Sequence, residues 1–214
     1  MTTQRLVWMN GRLVPGNEAT VPILSHGFSR GSAIFESFGV HDSPQGPAAY
    51  RMDEHLKRLR RSADLLGMEM AYDEAQIAAA VAETVHANGI GRGLIKVMAY
   101  WGEEAIVQMV PDKPLDVTVF AIPNGGELHL DDASAISACL SKWRKLRPET
   151  VAVEAKATGN YLSGYLARKE ARDRGFDIGI LLSTDGFLAE GSTESVFLVR
   201  DGAVLTPPLG RILT

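Results

Sequence analysis

Val151-Ala152-Val153-Glu154-Ala155-Lys156-Ala157-Thr158-Gly159-Asn160-Tyr161-Leu162 decides how the second half of this chain is read. The neighbours of Lys156 are small: Ala155, Ala157 and Gly159. A lysine set among small residues just ahead of a helix can approach a bound ring closely. Its amine becomes nucleophilic when burial or a nearby cation lowers its pKa. Taken alone, the same context suits a solvated surface lysine better. Downstream, a helix is predicted over residues 160–174, then short strands over 178–183, 187–189 and 195–199. Thr184-Asp185-Gly186 and Asp201-Gly202 supply turn chemistry, and 203–206 read as a further strand.

Upstream of the lysine, residues 142–154 are polar and 135–141 read as a strand. Ile122-Pro123-Asn124-Gly125-Gly126 is rich in breakers, so a domain boundary is expected there. In the first part of the chain, residues 6–9 and 12–14 flank Asn10-Gly11 and predict a tight hairpin. Strands are expected over 33–41, 48–52, 94–101 and 116–122. Asp53 reads as the cap of a helix with the stripe Leu56, Leu59, Ala63 and Leu66, ended by Gly67. Asp73 opens a second, alanine-rich helix through His86, closed by Asn88-Gly89. Strands and helices mix without regular βαβ alternation, which predicts an α+β fold.

The chain has 214 residues, 45% apolar and 22% charged, with a net charge of −4. That composition excludes collagen, long coiled coil and wholesale disorder. A mildly acidic chain has no global electrostatic case for nucleic acid. Cys139 is the only cysteine, so no intrachain disulfide framework exists and a reducing compartment is expected. No apolar run approaches the roughly 18 residues of a membrane helix. No secretory leader is visible at the N-terminus, and the chain reads as cytoplasmic. Histidines 26, 41, 55, 86 and 129 lack metal-ligand spacing, so no metal is expected. The glycine-rich loops of nucleotide folds are absent as well.

Two more residues are candidates. Glu190 ends an apolar strand in Phe187-Leu188-Ala189-Glu190-Gly191-Ser192-Thr193-Glu194-Ser195. A carboxylate at a strand end can hold a ring nitrogen protonated; a solvated turn residue is the alternative. Arg58 shares a helix face with His55 at i, i+3, and arginine clasps phosphate with parallel hydrogen bonds. Arg60 and Arg61 follow it, as on an ordinary solvated face. Trp143-Arg144-Lys145-Leu146-Arg147 is basic with one aromatic, which suits an anionic ligand or a surface loop.

Four segments, taken in order, carry a resemblance. They are Glu-His-Leu-Lys-Arg-Leu (54–59), Ala-Lys-Ala-Thr-Gly-Asn-Tyr-Leu (155–162), Ala-Glu-Gly-Ser-Thr-Glu-Ser-Val-Phe (189–197) and Asp-Gly-Ala-Val-Leu-Thr-Pro-Pro (201–208). Together they resemble the class IV aminotransferases, the pyridoxal-phosphate enzymes of fold type IV. The stretch from Ser141 to Lys156 is more similar to the branched-chain amino acid aminotransferases of that family than to its lyases.

The resemblance implies a two-domain α+β fold of type IV, with a small N-terminal domain over 1–122 and the start of a large cofactor-binding domain over 123–214. Family chains continue past the segment resembling 206–208, so the C-terminal part of the large domain is expected to be absent here. The implied cofactor is pyridoxal 5'-phosphate. Lys156 matches the lysine that links covalently to it and later shuttles the substrate α-proton. Glu190 matches the carboxylate on the pyridine nitrogen, Arg58 the phosphate arginine and Tyr161 the tyrosine beside the phenolic oxygen; Ser195 joins the cofactor-binding set. Phe35, Arg30, Lys96 and Arg144 are the implied substrate-side residues.

The implied activity is transamination of a branched-chain L-amino acid with 2-oxoglutarate. Alternatives on the same scaffold are aminodeoxychorismate lyase and D-amino acid aminotransferase; a truncated, non-catalytic fragment is the third. The implied partners are an amino acid, a 2-oxo acid and a second copy of the chain in a homodimer, with no nucleic acid or membrane.

Overall fold

The structure, a computed structural model, describes residues 5–125, 128, 134–208 and 212. It divides into two compact units, Met1–Ala133 and Ser134–Thr214.

The first unit is a six-stranded sheet backed by two helices. Strands β1 (Leu6–Met9) and β2 (Arg12–Pro15) form the expected hairpin. Asn10 and Gly11 turn it with φ of 47° and 94°, the left-handed pair that matches the twist of the strands. A short helix, α1 (His26–Arg30), precedes β3 (Ile34–His41), and the brief β4 (Ala48–Ala49) pairs back onto β3. Helices α2 (Met52–Leu65) and α3 (Glu74–Ala87) follow, then the long strands β5 (Gly93–Tyr100) and β6 (Asp116–Pro123). The sheet order is β2-β1-β6-β5-β3-β4.

Alternation along the strands fixes the two faces. Ile95, Val97, Val117 and Val119 are fully buried with Leu59 and Ile77 from the helices. In the register, Glu36 lies opposite Val97, while Phe35 lies opposite Met98 and Ser37 opposite Lys96. Glu36 therefore points to the helix-covered face, and Phe35 and Lys96 to the other.

The helix starts differ from expectation in one case. Asp73 caps α3 as read, accepting from Gln76 N while the Gln76 side chain returns the bond. Asp53 does not cap α2. Arg51 takes the cap position at φ 48°, and Asp53 and Glu54 fall in the first turn, where their charge complements the helix dipole.

The second unit holds a three-stranded sheet in the order β7-β8-β9. Strand β7 (Ala138–Arg144) leads through a 3-10 turn (Thr158–Tyr161) into α4 (Leu162–Asp173), then β8 (Ile178–Leu182) and β9 (Leu188–Gly191). β7 and β8 are parallel, joined across α4, so one βαβ crossover is present. β7 begins and ends three residues later than the sequence predicts. Ser137 is held by Asp177 through its N–H and hydroxyl, both 2.6 Å, and lies outside the ladder. The hairpin β10 (Leu198–Arg200) and β11 (Ala203–Leu205) turns at Asp201-Gly202, both left-handed. That turn sets the register Arg200↔Ala203, so pairing starts at Leu198 and residues 195–197 lie outside the strand predicted to begin at Ser195.

Helix α4 meets the sheet through its small residues Gly164, Ala167 and Ala171, all buried. A Cβ on Gly164 would stand 2.1 Å from the Ser192 carbonyl oxygen. This contact presses the start of α4, three residues after Tyr161, onto the turn two residues after Glu190. Gly164→Ala is expected to destabilise the protein by about 2 kcal/mol or more through overpacking against backbone. Chemical denaturation measures it; a variant as stable as the parent would contradict this packing.

Candidate active site

The site residues implied by the sequence fall into two groups, one on each unit. On the second unit, Lys156 sits between two buried alanines, Ala155 and Ala157. The segment is folded tightly on itself. Ala155 N donates to Ala152 O, Ala157 N donates to Ala155 O, and the Asn160 amide donates to the carbonyls of Ala152 and Ala155. The 3-10 turn then brings Tyr161 back over the lysine. Lys156 Nζ donates to Tyr161 Oη at 2.7 Å and stands 5.3 Å from the ring centroid. An amine and a phenol are thus held together by a short, tightly turned segment.

Glu190 lies on β9 opposite Leu181 of β8. Its Oε1 accepts from Lys145 Nζ. Lys145 follows β7, and its main-chain N–H donates to Leu182 O at 2.9 Å. Both side chains are largely withdrawn from water, 11% and 16% exposed. Burial pushes the Lys145 amine down to about 8. After Glu190, Ser192 is buried and donates to Gly179 O at 3.2 Å, while Glu194 accepts from Thr193 and pairs with Arg168. Ser195 is exposed and makes no hydrogen bond with the described residues. Arg144 is also exposed; its guanidinium returns to the carbonyls of Ser141 and Lys142.

On the first unit, Arg58 of α2 is gripped by Glu36 of β3. Its Nε and one terminal nitrogen donate to the two carboxylate oxygens at 2.6 and 2.7 Å, a bidentate pair. His55 Nδ1 lies 2.8 Å from the same carboxylate and its ring stacks on Phe38. Glu36 is fully buried, so this pairing fixes the guanidinium in one orientation. On the opposite face of the sheet, Lys96 Nζ lies 4.6 Å from the Phe35 ring, and burial lowers its pKa. Arg30 donates to the carbonyls of Ala105 and Ile106 at 2.8 and 3.1 Å, which ties α1 to the loop after β5.

Two residues of these clusters were missed from sequence. Glu36 carried a signal: a lone acid inside Ile34-Phe35-Glu36-Ser37-Phe38 is a buried charge in need of a cation. Lys145 carried a weaker one, because it was read only as part of a basic loop. Among the described residues there is no group of three or more His, Cys, Asp or Glu placed to hold a metal, and no helix is long and apolar enough to cross a membrane.

Comparison with known proteins is consistent over the whole length. Residues 33–214 match the family described as Amino-transferase class IV. The branched-chain-amino-acid aminotransferase of Salmonella typhimurium is 34% identical over 212 residues, covering 97% of this chain and 69% of that protein. Among solved structures, the branched-chain aminotransferase of Thermoproteus uzoniensis with norvaline superimposes with a TM-score of 0.92 at 36% identity, covering 99% of this chain and 71% of that one. The T.th. branched-chain amino acid aminotransferase with pyridoxamine 5'-phosphate gives a TM-score of 0.90 at 33% identity, covering all of this chain and 70% of that one. The chain thus spans about 70% of the length of these relatives and shares the two-domain architecture of fold type IV over that span.

Proposed function

Because the chain belongs to the class IV aminotransferases and works with pyridoxal 5'-phosphate, we propose that it moves an amino group between a branched-chain L-amino acid and 2-oxoglutarate. The observation that carries the reading is the Lys156 amine held against the Tyr161 hydroxyl between two buried alanines. The names of the relatives support the choice of substrate.

The donor set fits the cofactor. Lys156 offers an amine for its aldehyde, Glu190 a carboxylate for its ring nitrogen and Tyr161 a hydroxyl for its phenolic oxygen. Arg58, on the first unit, is the phosphate arginine by resemblance to the family, and Glu36 holds its guanidinium in one orientation. When bound, the cofactor supplies an electron sink for charge that develops at the substrate α-carbon.

The chain's own residues do the rest. Lys156 would anchor the cofactor, then take the substrate α-proton on Nζ and pass it on, for which Nζ must be uncharged. The Tyr161 hydroxyl, 2.7 Å away, holds that amine in place between transfers. Glu190 would accept a hydrogen bond from the ring nitrogen and so keep a proton on it. For the substrate we propose Phe35 as an apolar wall and Lys96 as the cation for a carboxylate. Arg30 and Arg144 are occupied with main-chain carbonyls, which suits them to holding loops.

A homodimer belongs to the same reading. Phe28, Ile106, Val107, Met109 and Val110 form an exposed apolar set on α1 and the loop after β5, more than an isolated surface residue would explain. The free, buried Cys139 fits a reducing cytoplasm.

The test is oxo-acid formation with pyridoxal 5'-phosphate and 2-oxoglutarate. L-leucine, L-isoleucine and L-valine are expected to be donors at least tenfold better in kcat/KM than D-alanine. Preference for D-alanine, or pyruvate release from aminodeoxychorismate, would overturn the substrate assignment.

A further inference from the structure

We propose that Lys145 is a positioning residue for Glu190: its ammonium anchors one carboxylate oxygen and keeps the group charged, so that the other oxygen meets a ring nitrogen as a pure acceptor. The proposal rests on the cofactor reading above and adds a residue outside the four segments that carry the resemblance.

The geometry is a bracket across the small sheet. Lys145 hangs from the end of β7 by its hydrogen bond to Leu182 O, and Glu190 stands on β9 opposite Leu181. The central strand, β8, separates them and carries only Ile178-Gly179-Ile180-Leu181-Leu182, with no titratable side chain. The ammonium reaches across to Glu190 Oε1. Oε2 accepts no hydrogen bond from the described residues, and a carboxylate has lone pairs for a second donor.

Charge makes the contact matter. A carboxylate only 16% exposed, with Ala189 and Gly191 buried on either side, would take up a proton readily without a cation beside it. A protonated Glu190 would donate to the ring nitrogen and leave it uncharged. Other charged groups on the surrounding elements are engaged elsewhere. Glu170 of α4 accepts from Ser141, Lys142 N and Arg174, and Arg147 pairs with Glu149. Arg144 bonds to main-chain carbonyls, and the Lys142 ammonium lies by the Trp143 ring.

Burial lowers the Lys145 amine to about 8, while the Glu190 contact opposes that shift. The cation is present at neutral pH and is lost as the pH rises through that region.

The experiment follows the Glu190 carboxyl carbon by NMR in cofactor-free protein labelled at glutamate carboxyls, with the signal assigned by its loss in Glu190→Gln. Lys145→Met is expected to raise the Glu190 midpoint by about one pH unit or more, and Lys145→Arg to leave it unmoved. The parent is also expected to show a second, alkaline inflection of this signal as Lys145 loses its charge, absent in Lys145→Arg, whose charge persists. A merely structural lysine would lower the melting temperature without moving either inflection. If Lys145→Met does not fold, the comparison of parent with Lys145→Arg still decides, and a parent with no alkaline inflection overturns the proposal. Pyridoxal 5'-phosphate is then added and its visible band recorded. A cofactor-binding protein with an unmoved Glu190 midpoint fails the Lys145 role alone. A parent that takes up no cofactor fails the underlying reading, and the ring-nitrogen role with it.

Discussion

Lys156→Ala is expected to abolish transamination, with kcat lower by at least ~10³-fold and no visible absorption band on adding pyridoxal 5'-phosphate. The amine has two duties, covalent anchor and carrier of the α-proton. Loss of a group with linked roles costs more than either role alone. The fold should survive. The lysine is only half-buried, its alanine neighbours keep their packing, and Asn160 still ties the loop through main-chain carbonyls. Circular dichroism and melting temperature close to the parent's would show this. Lys156→Arg separates charge from chemistry: it restores a cation beside Tyr161, yet a guanidinium does not perform the amine's reaction, so it should be equally inactive. Activity in either variant within tenfold of the parent would remove Lys156 from the reaction.

Glu190→Gln should give the second largest loss, about 10²-fold or more in kcat with the affinity for the cofactor much less affected. A glutamine amide keeps the size and one acceptor oxygen but has no charge to hold a proton on the ring nitrogen. Proton removal at the substrate α-carbon is the step that should slow. An α-deuterated substrate measures it: the kinetic isotope effect should grow as that step comes to limit turnover. The variant also leaves the half-buried Lys145 without its carboxylate, so the amine should discharge more readily. Unchanged kcat in Glu190→Gln would place the carboxylate outside the chemistry.

The proposed chemistry-bearing residues were legible through the order of four segments along the chain, because each of them taken alone suits a solvated position. Lys156 stands out by its small neighbours, Glu190 by its place at the end of an apolar run, and Arg58 by its helical face. Their partners were not legible. Glu36 and Arg58 are 22 positions apart, and Lys145 and Glu190 are 45 apart. Whether such residues meet depends on the register of β3 against β5 and on the crossover that sets β7 beside β8. The late start of β7 and the delayed pairing of β10 have the same origin. Strand propensity is broad along these segments, and the Ser137–Asp177 bonds and the Asp201-Gly202 turn decide where pairing begins.

Amino-acid order alone therefore determined the turns, the capping box of α3 and the amphipathic stripe of α2, because each depends on neighbours within a few residues, and the order of its segments marked Lys156 and Glu190 as the candidate amine and acid. Three-dimensional folding alone decided which face of the sheet each strand residue occupies. It also chose the cation that neutralises each buried acid and found room for no side chain at Gly164. Those outcomes depend on main-chain atoms brought together from distant positions, where one residue of slip in register would turn every side chain to the opposite face.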